Sequence, residues 1–182
     1  QPRQPVFWLM AVLTAVGIVL VVAGRIVSAD SAPVFVAAVL FVGVQAVLLW
    51  LIVRAMPRFR RQPGSLMAAG LVWGGVVAVP LAGSLNAVNL GALSSFGIDS
   101  FAASITAPLN EDLLRLLGVL VVLVLAYRRP LTVMDGVVYG FIVGAGFELM
   151  ENLSYGLDAG NLDEAIGTGL KRLLLGFALH AL

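Results

Sequence analysis

The sequence predicts an all-α fold, a polytopic bundle of transmembrane helices. Sixty per cent of the 182 residues are hydrophobic and only 12% are charged, whereas a soluble domain of this length needs a larger polar surface. The apolar residues also fall into runs of the length, roughly 20 residues, that crosses a bilayer core of about 30 Å. The chain has no cysteine, which excludes disulfides, thiol chemistry and cysteine metal sites.

We predict a single membrane domain over residues 1–182 with about six spans. The apolar runs place them at 6–23, 34–53, 65–83, 106–126, 131–155 and 165–182. The first run is longer than a signal-peptide core of about 7–15 residues, so we interpret it as a true span. The polar connection 84–105 has room for a re-entrant or interfacial piece. Because the chain starts at Gln1 and stops within an apolar run, both ends are expected to be trimmed, with more spans in the full-length protein.

Arginines predict the orientation. They crowd the second and fourth connections and the N-terminus, at Arg54, Arg58, Arg60, Arg61, Arg128, Arg129 and Arg3. The positive-inside rule makes that side cytoplasmic, together with the N-terminus. The opposite side is mostly acidic, with Asp30, Asp99, Asp158, Asp163 and Glu164 against one basic residue, Arg25. Arginine greatly outnumbers lysine, which favours a bacterial source, so we expect a multi-pass protein of the bacterial cell membrane.

Glycines and prolines predict local features of the spans. Gly136, Gly140 and Gly144 recur every four residues along the fifth span, which predicts a stripe where another helix packs closely. Pro80 is expected to kink the third span, and Pro108 suits the first turn of the fourth.

Several charged residues lie inside the predicted spans, where each costs about 2.5–3.5 kcal/mol at a helix centre. They are Glu111, Asp112 and Arg115 on the fourth span, Glu148 and Glu151 beside Asn152 on the fifth, and Arg172 with the only histidine, His180, on the sixth. In the predicted topology the first two groups share the extracytoplasmic half of the membrane. We therefore predict a functional site in that half.

Helical geometry relates these side chains to one another. Glu111 and Arg115 are four residues apart, so they share a face and can pair. Asp112 lies about 100° round the helix from Glu111, so both carboxylates can border one cavity. On the fifth span, a further stripe at the same spacing consists of Phe147, Glu151 and Tyr155.

Each of these features also has a structural interpretation. Glu111 and Arg115 can form an ordinary ion pair, and His180 can be a packing residue. Arg172 can be an interfacial anchor beside Lys171. Glu148 and Asp135 lie near span ends or polar cavities and are expected to have supporting or structural roles. The presence of acidic or imidazole groups on three consecutive helices favours a functional site.

Three ordered segments resemble motifs of the PrsW-type intramembrane proteases. Residues 107–115, APLNEDLLR, resemble P-x-x-E-E-x-x-K, and residues 144–155, GAGFELMENLSY, resemble G-x-G-F-x-x-x-E-N-x-x-Y. Residues 172–180, RLLLGFALH, are similar to the third motif, an arginine upstream of a histidine. The resemblance covers residues 105–182. It departs from the family pattern at Asp112, where the family has Glu, and at Arg115, where it has Lys.

The resemblance implies a helical bundle, related to the CAAX prenyl endopeptidases, that hydrolyses peptide bonds in or near the membrane. It also implies a membrane-anchored protein substrate such as an anti-sigma factor, cut on its extracytoplasmic side. Besides this substrate, the expected partner is the lipid bilayer. No nucleic-acid partner is expected. The expected catalytic residues are Glu111, Asp112, Glu151 and His180, and the expected supporting residues are Arg115, Asn152, Tyr155 and Arg172.

Two versions of the chemistry remain open at this point. In the first, Glu111 is the general base on a water molecule, and Asp112 and Arg115 orient it and set its charge. Glu151 holds the same water, and His180 polarises the substrate carbonyl or donates to the oxyanion. In the second, zinc is bound by Glu111, Glu151 and His180. The sequence has no H-E-x-x-H motif, and one histidine among oxygen ligands is a weak zinc set. We therefore favour a glutamate-dependent site without a cofactor.

Two other functions use similar residues. A proton-coupled transporter also carries intramembrane acids and glycine-rich helices, although inverted halves are often recognisable there. The first three spans here contain no counterpart of the acidic helices. A non-catalytic membrane scaffold of the same superfamily is the second alternative, and the intact motif acids argue against it.

Overall fold

The protein is all-α wherever its structure, a computed structural model, describes the chain, at residues 4–28, 31–60, 62–97, 102–127 and 131–176. The helices in these ranges are α1 (Pro5–Ser28), α2 (Ala32–Ala55), α3 (Pro57–Arg60), α4 (Gly64–Ser95), α5 (Ala102–Leu125), α6 (Val133–Leu157) and α7 (Leu162–Leu174). No strand occurs among the described residues. The predicted all-α membrane bundle is confirmed.

Four of the described helices are long and apolar enough to cross a membrane. These segments are Pro5–Ala23, Ala32–Ala55, Gly64–Ser95 and Val133–Leu157. Helix α5, the fourth predicted span, has 24 residues but contains three charged side chains. Helix α7, the sixth, has 13 described residues. The membrane-crossing character of the bundle therefore rests on α1, α2, α4 and α6.

Helix α4 is longer than the sequence predicts. It runs past residue 83 through much of the expected connection and ends at Ser95. The helix tolerates Gly83 and Gly91 and ends just before Gly97, whose φ of 75° is a left-handed conformation that favours glycine and helps to end a helix. Ser84 is accommodated inside the helix because its hydroxyl donates to the Pro80 carbonyl at 2.9 Å.

A π-helical segment, Trp73–Ala78, interrupts the α-helical geometry of α4 directly before Pro80. Proline cannot donate to the carbonyl four residues earlier, which here is that of Val76. A methyl group on Gly17 of α1 would lie 1.9 Å from this carbonyl oxygen, so α1 packs directly against the widened turn. The distortion predicted at Pro80 is thus a π segment that receives α1.

Helices α4 and α6 cross in backbone contact. A methyl group on Gly74 would lie 2.0 Å from the carbonyl oxygen of Val143, and one on Gly146 would lie 2.3 Å from that of Leu71. The prediction that another helix packs closely on the glycine stripe is wrong at Gly136, where a methyl group would meet open space. The π segment crosses α6 nearer to Gly146, which shifts the close contact toward the second half of α6. The core at this crossing includes Trp73, Val77, Leu114, Val143 and Phe147.

Helices α2 and α7 pack on the second half of α6. The contact pairs along α2 and α6 are Ala38 with Gly156, Gln45 with Asn152 and Leu49 with Ala145, so these helices are antiparallel. Helix α7 runs beside α2 in the same direction, because Ala165 packs near Val34 and Gly169 packs against Phe41. The chain thus turns back after α6, and α7 brings its basic end to the depth of Asn152.

Asp135 has a structural role at the start of α6. Its carboxylate accepts hydrogen bonds from the backbone N–H and the hydroxyl of Thr132, which form a capping box. It also accepts one from the Gln62 side chain at 2.5 Å, and the Tyr139 hydroxyl donates to that same amide at 2.8 Å. These bonds fix the chain before α4 to the beginning of α6.

Replacing Gly74 by alanine should destabilise the bundle by about 1–3 kcal/mol, because the new methyl group meets backbone that cannot move aside. Thermal unfolding in detergent measures the effect. Gly136→Ala is the matched control, and it should be neutral or slightly stabilising, since alanine is the better helix former and the space is open. Equal melting temperatures for the two variants would contradict the crossing described here.

Candidate active site

A cavity of about 530 Å³ lies among α1, α4, α5 and α6. Its apolar lining includes Leu20, Val79 and Phe147. The polar lining consists of Ser84, Asn86, Glu111, Glu151, Ser154, Tyr155 and Asp158. Two carboxylates that are 40 positions apart in sequence, those of Glu111 and Glu151, therefore face one space.

The cavity lies at one end of the bundle. Its lining residues come from the second halves of α1, α4 and α6 and from the first half of α5. The chain directions place all four contributions at the end opposite the connection between α2 and α4, which contains the arginine cluster. The site thus lies at the end of the bundle away from the arginine-rich connection.

Glu111 is carried by α5, and hydrogen bonds on either side of it fix this helix to α4. The Asn110 side chain donates to that of Asn86 at 2.8 Å. One turn later the Trp73 indole N–H donates to the Leu114 carbonyl at 2.9 Å. Both Asn110 and Trp73 are buried. These bonds set the rotation and the depth of Glu111.

Pro108 lies inside α5 rather than in its first turn, because the helix begins at Ala102 instead of near residue 106. The prediction for this proline is therefore wrong. Proline lacks the N–H that would bond to the carbonyl of Ser104, so the helix is weakened one turn before Glu111.

Asp112 does not line the cavity, contrary to the expectation that both carboxylates border it. Its side chain is 72% exposed and forms an ion pair with Arg115. The turn of about 100° between adjacent helical residues carries it to the outer face of α5. Arg115 also donates from Nε to the Glu111 backbone carbonyl at 3.3 Å, and its guanidinium lies 5.1 Å from the centre of the Phe147 ring.

Glu151 is held by Arg172. The guanidinium forms an ion pair with the Glu151 carboxylate, and its Nε donates to the side-chain oxygen of Asn152. It also lies 4.2 Å from the centre of the Tyr155 ring. The structure thus brings four predicted residues, Glu151, Asn152, Tyr155 and Arg172, into one cluster.

Gln45 belongs to the same cluster, although the sequence analysis did not identify it. Its side-chain oxygen accepts a hydrogen bond from Asn152 Nδ2 at 2.8 Å, and the residue is 1% exposed. The available signal was a single amide within the long apolar run of α2, where a buried polar group needs a partner. Glu148 is also buried, at 1% exposure, and it does not line the cavity.

A metal ion bound in this cavity would need several protein ligands. A catalytic zinc site usually has three protein ligands. Within the described ranges no three His, Cys, Asp or Glu side chains come together in a way that could hold a metal ion. Glu111 and Glu151 supply two carboxylates, and the predicted third ligand, His180, lies outside the described residues.

A family model described as "PrsW family intramembrane metalloprotease" matches residues 62–182, which is well over half of the chain. No curated protein and no solved structure gives a match. The matched region contains all three motifs and begins earlier than residue 105, so it includes α4 with its cavity-lining residues. The chain belongs to the PrsW family of intramembrane proteases.

Proposed function

We propose that this protein hydrolyses a peptide bond of a membrane-anchored protein near the extracytoplasmic membrane face, using a water molecule activated by Glu111. The observation that carries this proposal is the convergence of Glu111 and Glu151, from different helices, on one cavity inside an apolar bundle. A buried carboxylate is costly in a membrane helix, so two that share a cavity are best explained by chemistry that needs them.

Two carboxylates can divide the work of peptide hydrolysis. Glu111 takes a proton from the attacking water as its oxygen adds to the peptide carbonyl carbon, which gives a tetrahedral oxyanion. Glu111 then returns that proton to the leaving nitrogen as the C–N bond breaks. Glu151, held by Arg172, orients the water from the opposite wall. His180 is proposed to donate to the oxyanion, as the motif resemblance implies.

The charge distribution supports a cut on the extracytoplasmic side of a bacterial cell membrane. By the positive-inside rule, the arginine-rich connections favour a cytoplasmic location for their side, and we propose that the N-terminus lies there too. The cavity lies at the other end of the bundle, at the level of Asp158. A single-span protein that presents a peptide bond at this level, as an anti-sigma factor does, is the proposed substrate class.

Removing the proposed base should abolish cleavage. Glu111→Gln keeps the size of the side chain but cannot accept the water proton, so the cleavage rate should fall by about 100-fold or more. The measurement is co-expression with candidate single-span membrane proteins from the same genome, with the products followed by immunoblot. Because a transporter or a scaffold would cleave none of them, the wild-type lane tests these alternatives as well.

Asp112→Asn is the matched control for that experiment. It changes the next residue in the same way, but at an exposed position outside the cavity, so cleavage should stay within about threefold of wild type. Retained activity in Glu111→Gln, with folding confirmed by its thermal unfolding curve, would overturn the assignment of the base.

We further propose that the reaction needs no metal, with zinc as the alternative. Treatment of purified, active enzyme with a membrane-permeant chelator should leave the cleavage rate unchanged, and elemental analysis should find substoichiometric zinc. Loss of activity on chelation that zinc restores would instead establish the metal-dependent version, with Glu111, Glu151 and His180 as the expected ligands.

A further inference from the structure

We infer that Gln45, on α2, is a positioning residue for this reaction, which orients the Asn152 amide so that Arg172 can hold the Glu151 carboxylate at the cavity wall. The inference rests on the proposed function, since it assigns Glu151 to the site. Gln45 precedes residue 62, so it lies outside the region that the family model matches.

The first step is the contact between α2 and α6. Gln45 is buried in a helix that is otherwise apolar until Arg54 in its last turn, and its oxygen accepts the hydrogen bond from Asn152 Nδ2 at 2.8 Å. Asn152 is itself buried, at 6% exposure. Each amide is therefore excluded from water and depends on a protein partner.

The second step is the orientation of the Asn152 amide. An asparagine side chain has a donating NH₂ end and an accepting oxygen end. Arg172 Nε–H can only donate, so it requires the oxygen end of Asn152, and the Gln45 oxygen accepts from the NH₂ end on the other side. The two contacts together fix the position of the Asn152 side chain. With the amide reversed, the NH₂ group would face Arg172 Nε–H, and two donors would oppose each other.

The third step is the contact of Arg172 with the Glu151 carboxylate. Its Nε bonds to Asn152, its Nη2 pairs with Glu151, and its guanidinium lies over the Tyr155 ring. A planar guanidinium fixed at its Nε end presents its other nitrogens in a set direction. The carboxylate of Glu151, whose side chain is 13% exposed, is thereby directed along the cavity wall.

A purely structural role for Gln45 would be to join α2 to α6. Apolar contacts already join these helices, since Leu49 packs against Ala145 and Ala38 lies against Gly156. Interhelical amide bonds add only modest stability in membranes. The two roles therefore differ in what they change: docking of α2 affects stability, whereas orientation of Asn152 affects the rate of the chemical step.

The test compares Gln45→Leu, which loses the acceptor at similar size, with Gln45→Glu, which keeps an acceptor oxygen. Gln45→Leu should lower kcat about tenfold with KM within about twofold, as expected when one orienting hydrogen bond is lost. Gln45→Glu should restore kcat to within about threefold of wild type. Leu49→Ala is the matched control on α2, and it should lower the melting temperature with kcat unchanged.

Two further measurements separate the inference from the proposed function. In an Asn152→Leu background, Gln45→Leu should cause no additional loss of kcat, because both substitutions act through one chain of hydrogen bonds.

The labelling experiment is independent of activity. Labelling of Glu151 by dicyclohexylcarbodiimide, read by mass spectrometry, should rise several-fold in Gln45→Leu and stay at the wild-type level in Leu49→Ala. Unchanged labelling, or additive losses of kcat, would overturn the role of Gln45. Absence of Glu111-dependent cleavage in the wild type would overturn the proposed function instead.

Discussion

The ion pair between Glu151 and Arg172 is the interaction on which the candidate site depends. Burying a lone carboxylate inside an apolar bundle costs free energy, and a cation paired with it offsets much of that cost. Arg172 reaches Glu151 because α7 turns back along α2 after α6 ends. The turn at residues 158–161 and the packing of α7 on α2 therefore have a direct chemical consequence, since they place the cation beside Glu151.

The crossing of α4 and α6 determines where the cavity can form. Small residues at Gly74 and Gly146 let the two backbones touch, and the π segment before Pro80 lets α4 pass that contact. Directly beyond it, Val79, Pro80 and Gly83 form one wall of the cavity. The π segment of α4 is therefore related to both features: the dense packing in the middle of the bundle and the open space near its end.

The sequence predicts the helical membrane fold and three of the residues that line the cavity, Glu111, Glu151 and Tyr155, because apolar run length and intramembrane charge depend on local composition. It fails where the answer depends on how helices rotate and cross. Asp112 is next to Glu111 in sequence but faces outward, and the close glycine contact lies at Gly146 instead of along Gly136. Gln45 carries no motif, and its importance becomes visible only when α2 packs on Asn152.

Two of the cavity carboxylates, those of Glu111 and Glu151, are supported by separate sets of hydrogen bonds. Glu111 depends on the contacts of α5 with α4, through Asn86 and Trp73, whereas Glu151 depends on a chain that begins at Gln45. The first set lies wholly inside the region matched by the family model, and the second begins outside it. A change in α2 can therefore alter the orientation of one carboxylate without touching the motifs or the other carboxylate. The first helices, whose sequences are generic membrane spans, thus contribute to the geometry of the site through one buried amide.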